Sequence, residues 1–175
     1  MKLIMEEVEL KKEDRVPVAP ARKYAEKIRE HSEVTDMPAV IAFELPDGQI
    51  VTGRTTELMD SCSTAILNSI KVLAKISDEI HLLSPNILET IQKLKVNDLH
   101  SKMTALNANE VLIALAISAV TNPTAQLAYN KLAELQDVQA HSTVMLNKDD
   151  EQTLRKLGLD ITCDPFYPSE NLYYI

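Results

Sequence analysis

The chain has 175 residues, 45% of them hydrophobic and 25% charged, enough for one soluble domain with a real core. Eighteen basic residues face 26 acidic ones, for a net charge of −8, and the whole excess lies after residue 33, so no basic face for nucleic acid is in view. Only three glycines occur (Gly48, Gly53 and Gly158), where ordinary usage gives roughly twelve, and no glycine-rich nucleotide loop can be written with them.

Residues 1–16 have mixed charge and weak periodicity and read as a linker or N-terminal arm; residues 17–175 read as one domain. Pro17 and Pro20 frame a helix start, and Ala21, Tyr24, Ala25 and Ile28 give it one apolar stripe up to about Glu33. The β-rich runs 39–45 and 49–52 flank Pro46-Asp47-Gly48, which predicts a hairpin. The period turns helical over 57–76, with Leu58, Cys62, Ala65, Ile66, Ile70 and Leu73 on one face. Residues 79–83 then read as a short buried strand. Strand, helix and strand in that order predict a βαβ-like crossover.

Ser84 caps the next helix and Pro85 takes its first position. Residues 96–106 read as irregular. Asn107-x-x-Glu110 is a capping-box start for a helix over 108–121 that is apolar nearly all round and is therefore expected at the centre. Pro123 opens a further helix. Residues 138–146 read as a strand, Asn147 caps a helix over 148–157, Gly158 sits at its C′ position, and 161–163 form a last strand. The expected fold is α/β: a single domain with a mixed sheet of about five strands and about six helices.

Two stretches are candidates for chemistry. Gly53, Arg54, Thr55 and Thr56 join a strand to a long helix, where backbone N–H groups, a cation and hydroxyls suit an anion. Gly48 and Gly158 have turn and capping tasks, which leaves Gly53 as the glycine free for close ligand approach. His141 and Thr143 lie two apart on a strand and share a face; Ser142 between them points the other way. The alternative for both stretches is structural: a helix cap with a solvated Arg54, and a half-buried polar strand end. No metal site is expected, because His31, His81, His100 and His141 form no ligand spacing and Cys62 and Cys163 no C-x-x-C. His81 reads as a hydrogen-bonded core residue. No cofactor is expected either. Four of the seven aromatics (Phe166, Tyr167, Tyr173 and Tyr174) close the chain and are expected to pack on this domain or a neighbour. Two cysteines, no leader-like start and no apolar run near the roughly twenty residues of a membrane span point to the cytoplasm.

Several strings carry a resemblance: Ala19, Arg22, Tyr24 and Ala25; Phe43-Glu44-Leu45-Pro46-Asp47-Gly48; Val51-Thr52-Gly53; Asp78-Glu79-Ile80-His81-Leu82. They continue in Glu110-Val111-Leu112-Ile113-Ala114-Leu115, Thr121-Asn122-Pro123, Ala140-His141-Ser142-Thr143-Val144, Leu154-Arg155-Lys156-Leu157-Gly158 and Asp164-Pro165. Over residues 17–167 the chain resembles the C-terminal part of the DUF1846 family, also labelled UPF0371, bacterial proteins of uncharacterised function. The resemblance implies an α/β fold and a longer protein whose N-terminal domain would be a partner of this one. It supplies no catalytic residues. Some members carry an ATP-dependent peptidase label, which no phosphate loop or zinc motif here supports. Two functions follow as expectations. The domain is one wall of a small-anion or phosphometabolite site in a cytoplasmic protein, or it is a structural, oligomer-forming domain without chemistry of its own. The residues do not decide whether it is an enzyme.

Overall fold

A four-stranded mixed sheet organises the chain in the computed structural model, which describes residues 12–32 and 36–168. The hairpin forms where its turn residues demand: β1 (Val40–Glu44) and β2 (Ile50–Arg54) pair antiparallel around Gly48, whose φ of 82° needs a residue without Cβ. The other edge of β1 pairs antiparallel with β3 (Gln139–Ser142), and β3 pairs parallel with β4 (Asp160–Cys163), giving the order β2-β1-β3-β4. Strands β2, β3 and β4 thus run one way and β1 runs against them. Their carboxyl ends, at Arg54, Ser142 and Cys163, share one edge of the sheet.

Among the described residues six α-helices surround it: α1 (Val18–Glu30), α2 (Ser61–Leu73), α3 (Pro85–Lys93), α4 (Ala108–Ala119), α5 (Pro123–Tyr129) and α6 (Lys148–Lys156). Caps written in the sequence set their starts. Ser84, Asn107, Asn122 and Asn147 each accept backbone N–H groups of the first turn, and Asn107 with Glu110 completes a reciprocal capping box. Gly158, with φ 88°, ends α6. Strand alternation divides the interior. Ile41, Phe43, Val51 and Ala140 face the main core with α2 and α4, while Val40 and Ala42 lie buried on the α1 side with Val18, Ala21 and Ala25.

Among the described residues the sheet has four strands, not five. Residues 79–83 are irregular: Glu79, Ile80 and His81 are exposed, while Leu82 and Leu83 are buried side by side, a burial pattern no strand alternation gives. The parallel crossover is instead β3-α6-β4. Strand β3 ends at Ser142 rather than at residue 146: the Thr143 N–H still donates to the Val40 carbonyl at the start of β1, but the Ser142 hydroxyl turns to the Val144 carbonyl and the Met145 N–H donates to the Phe166 carbonyl. α3 runs on into a π-helical turn, Leu94–Asp98, which reaches into the stretch 96–106 expected to be irregular. α4 is central on one face only; Ile117 and Val120 are 68% and 82% exposed. Phe166 and Tyr167 are exposed too, although the Phe166 carbonyl accepts the Met145 N–H. Tyr173 and Tyr174 lie outside the described residues, as do residues 1–11 of the expected arm. Arg15, within that arm, donates to the Asp160 carbonyl at 2.9 Å and pins the chain against β4.

Candidate functional site

Three groups of polar side chains gather at the carboxyl edge of the sheet, the first of them around a pocket. The pocket, 660 Å³, lies between the end of β2, α2 and the 76–88 connection. Arg54, Thr55 and Thr56 line it, and so do Asn68, Lys71 and His81 over an apolar floor that includes Leu67, Leu82 and Leu88. Arg54 is exposed and takes part in no ion pair among the described residues. Lys71 is buried, with Nζ donating to the Asp78 carbonyl at 2.8 Å, and its charge lies in the pocket wall. The Thr55 hydroxyl oxygen is buried and, among the described residues, has no hydrogen-bond partner. Thr56 is engaged locally: its hydroxyl accepts the Met59 N–H at 3.0 Å and donates to the Met59 carbonyl at 3.2 Å.

The local geometry differs from a helix-terminus anion site. α2 starts at Ser61, beyond the threonines, and Asp60 already caps it, accepting the Ser63 N–H at 2.8 Å. Gly53 is required by packing. A Cβ there would stand 2.3 Å from the Ala65 nitrogen and 2.6 Å from the Ser61 carbonyl, so α2 seats on β2 through this glycine. Gly53 does not line the pocket.

The second cluster stands on the α1 side. His141 is fully buried; its Nδ1 is 2.8 Å from the Thr162 hydroxyl and its Nε2 is 3.2 Å from Asp164 Oδ2. Arg22 of α1 grips the same carboxylate with two donors, Nη2 at 2.8 Å and Nε at 3.0 Å. Burial alone would raise the Asp164 carboxyl. The Arg22 and His141 hydrogen bonds and charges overcome that and hold it at about 2. Thr143 is not part of this group. Its hydroxyl donates to the Pro38 carbonyl at 2.7 Å and accepts the Val40 N–H at 3.1 Å, closing the sheet edge. His141 and Thr143 therefore bond to separate partners, and neither lines the Arg54 pocket. The third cluster, Asp60, Cys62 and Asp150, is buried on the α2 side.

Of the stretch Gly53–Thr56 expected from sequence, Arg54, Thr55 and Thr56 line this pocket beside Asn68 and Lys71 of α2 and His81, which comes from a connection whose composition reads as a strand. A family model described as "Domain of unknown function DUF1846, C-terminal" matches residues 13–173. The chain belongs to the DUF1846 family. It is 60% identical over 173 residues to a UPF0371 protein of Clostridium botulinum (strain ATCC 19397 / Type A), covering 99% of this chain and 34% of that protein. Against a UPF0371 protein of Clostridioides difficile (strain 630) the identity is 57% over 174 residues, 99% of this chain and 35% of the relative. A UPF0371 protein of Clostridium tetani (strain Massachusetts / E88) is 56% identical, with 34% of its length covered. This DUF1846 domain thus spans about a third of the length of the relatives it matches. Among the described residues, no helix is long and apolar enough to cross a membrane.

Proposed function

We propose that this domain forms one wall of a binding site for a small anion, a phosphate-bearing metabolite foremost, in a longer cytoplasmic protein. The observation that carries this reading is the convergence of Arg54, Lys71 and His81 on one pocket in a chain of net charge −8. The Arg54 guanidinium and the Thr55 hydroxyl, neither with an ion-pair or hydrogen-bond partner among the described residues, are groups an oxyanion would satisfy. The apolar floor suits a ligand with a carbon body as well as a charged head. The relatives' remaining length, about two thirds of the C. botulinum protein, is the source of the opposite wall. Calorimetry of this chain and of a full-length relative against inorganic phosphate and phosphorylated metabolites tests the reading. Arg54→Ala should weaken binding about tenfold or more, the loss of one charge-assisted hydrogen bond. Absence of binding to either protein, or binding indifferent to Arg54→Ala, would remove the reading.

A second reading, an assembly domain, rests on a different observation. Ile113, Ile117 and Val120 recur at helical spacing along the exposed face of α4, and Leu127 of α5 is exposed as well. An apolar stripe of this kind suits a second copy of the chain or the remainder of the longer protein.

A further inference from the structure

Three helices bring their first turns together on the α2 side of the sheet. Asp60 is the N-cap of α2 and Cys62 stands in its first turn. Asp150 lies in the first turn of α6, and its Oδ1 accepts the N–H of Ala108, the first residue of α4, at 2.9 Å. A carboxylate oxygen of each aspartate and Cys62 Sγ all lie within 4.8 Å of one another. Asp60, Cys62 and Asp150 are only 4%, 1% and 3% exposed.

Several hydrogen bonds converge on the two carboxyls, while burial and then the neighbouring Asp150 push the Asp60 carboxyl well upward. The Ser63 N–H donates to Asp60 Oδ1, the Ala108 N–H to Asp150 Oδ1, and Asn147 Nδ2 to Asp150 Oδ2. Three helix N-termini add their positive ends. Among the described residues, Asp60 Oδ2 is buried with no N–H or hydroxyl donor, and no Lys, Arg or His forms an ion pair with either aspartate. Two buried carboxyls this close either share a proton or hold a cation between them, and the sulfur beside them offers a third ligand to a cation.

We propose that Asp60 Oδ2, Cys62 Sγ and a carboxylate oxygen of Asp150 hold one divalent cation of the zinc type. A sulfur with two oxygens suits a borderline-soft ion rather than magnesium or calcium. Ligand atoms around a tetrahedral zinc stand roughly 3.5 Å apart, so the triad needs only a small contraction. Ser63, Ala108 and Asn147 then orient the ligating carboxylates, as outer hydrogen bonds do in metal centres. Burial and then the two aspartates push the Cys62 thiol upward; a bound cation reverses that and takes it as thiolate. The ion would tie α2, α4 and α6 together at one point.

Cobalt and zinc titrations of the chelator-treated chain test this proposal. The expected result is one equivalent of Co²⁺, a thiolate-to-cobalt charge-transfer absorption that zinc displaces, and a higher unfolding temperature with zinc. Cys62→Ser should abolish the charge-transfer band, and Asp60→Asn should weaken affinity by about 100-fold or more. If Asp60→Asn does not fold, Cys62→Ser, which exchanges one buried atom, carries the test alone. No cobalt uptake together with an unfolding temperature indifferent to zinc would overturn the proposal and leave a proton shared between the two carboxyls. Uptake unchanged in Cys62→Ser, in band and in affinity, would overturn it as well.

Discussion

Single residues at the carboxyl edge of the sheet decide more than their neighbours. Gly53 has ordinary backbone, and its value lies in the missing Cβ: the atoms it would strike are the main chain of α2, which cannot rotate aside. Gly53→Ala should therefore cost about 1–3 kcal/mol by overpacking, read as a lower urea midpoint with an unchanged slope. A midpoint equal to wild type would show that α2 can lift off β2 freely. Asp164 makes a pH-dependent contribution of definite sign. Its carboxyl is held at about 2 in the folded protein against an ordinary 3.8, so the unfolded chain binds the proton more readily. The stabilisation is complete above the ordinary value and is lost as pH falls from about 4 through 2. Asp164→Asn, which keeps the shape and removes the charge, should lower stability at pH 7 and flatten the acid limb of the midpoint-against-pH curve. Parallel curves for the two proteins would assign the acid sensitivity elsewhere. Sequence reading located Gly53 and His141 but gave Gly53 to a ligand, because the contact that needs it comes from a helix turn later in the chain. Asp164 stood alone in the sequence; its partners Arg22 and His141 are brought to it only by the pairing of β3 with β4 and the seating of α1.

Elements were readable where their signals are local. The Asp47-Gly48 turn, the Ser84-Pro85 start, the Asn107–Glu110 box and Gly158 all act within a few residues, and each stands where the spacing put it. The run 79–83 misled because a short apolar run has no period of its own, and two adjacent buried leucines look like a strand until their neighbours' exposure is known. That error also hid His81, which is on the surface lining the pocket, not in the core. The α4 cap is stronger than its spacing suggests. Glu110 Oε2 accepts both the Asn107 N–H and Lys95 Nζ, each at 2.9 Å, and Lys95 Nζ, from the π-helical turn after α3, also donates to the Ala105 carbonyl. Asn107→Ala removes one side of the box and should cost about 1 kcal/mol. Glu110→Ala should cost more, because it also strips a buried ammonium of its carboxylate. Thermal unfolding of the two variants checks the order, and a smaller loss for Glu110→Ala would show that Lys95 contributes nothing to the cap.

At the scale of the molecule, the pocket at the sheet edge and the exposed helix face are separate surfaces. The pocket at the carboxyl ends of the strands lies where open α/β sheets bind ligands. The apolar stripe of α4 belongs to another surface and needs another explanation. A helix with apolar residues all round is read as central, and α4 satisfies that expectation through Val111, Ala114 and Leu115 while Ile113, Ile117 and Val120 remain outside. These three cannot be stabilising the domain by burial, so replacing them separates assembly from folding. Ile117→Lys with Val120→Lys should shift stability by no more than about 0.5 kcal/mol per site, as for ordinary surface changes. If the stripe is a contact between copies, the double variant should show a lower scattering mass than wild type at high concentration, with the same unfolding midpoint. Equal masses at every concentration would remove self-association and leave the stripe to the portion of the longer relatives that this domain does not span. A large loss of stability instead would place these side chains inside the fold and overturn the exposed-face reading itself.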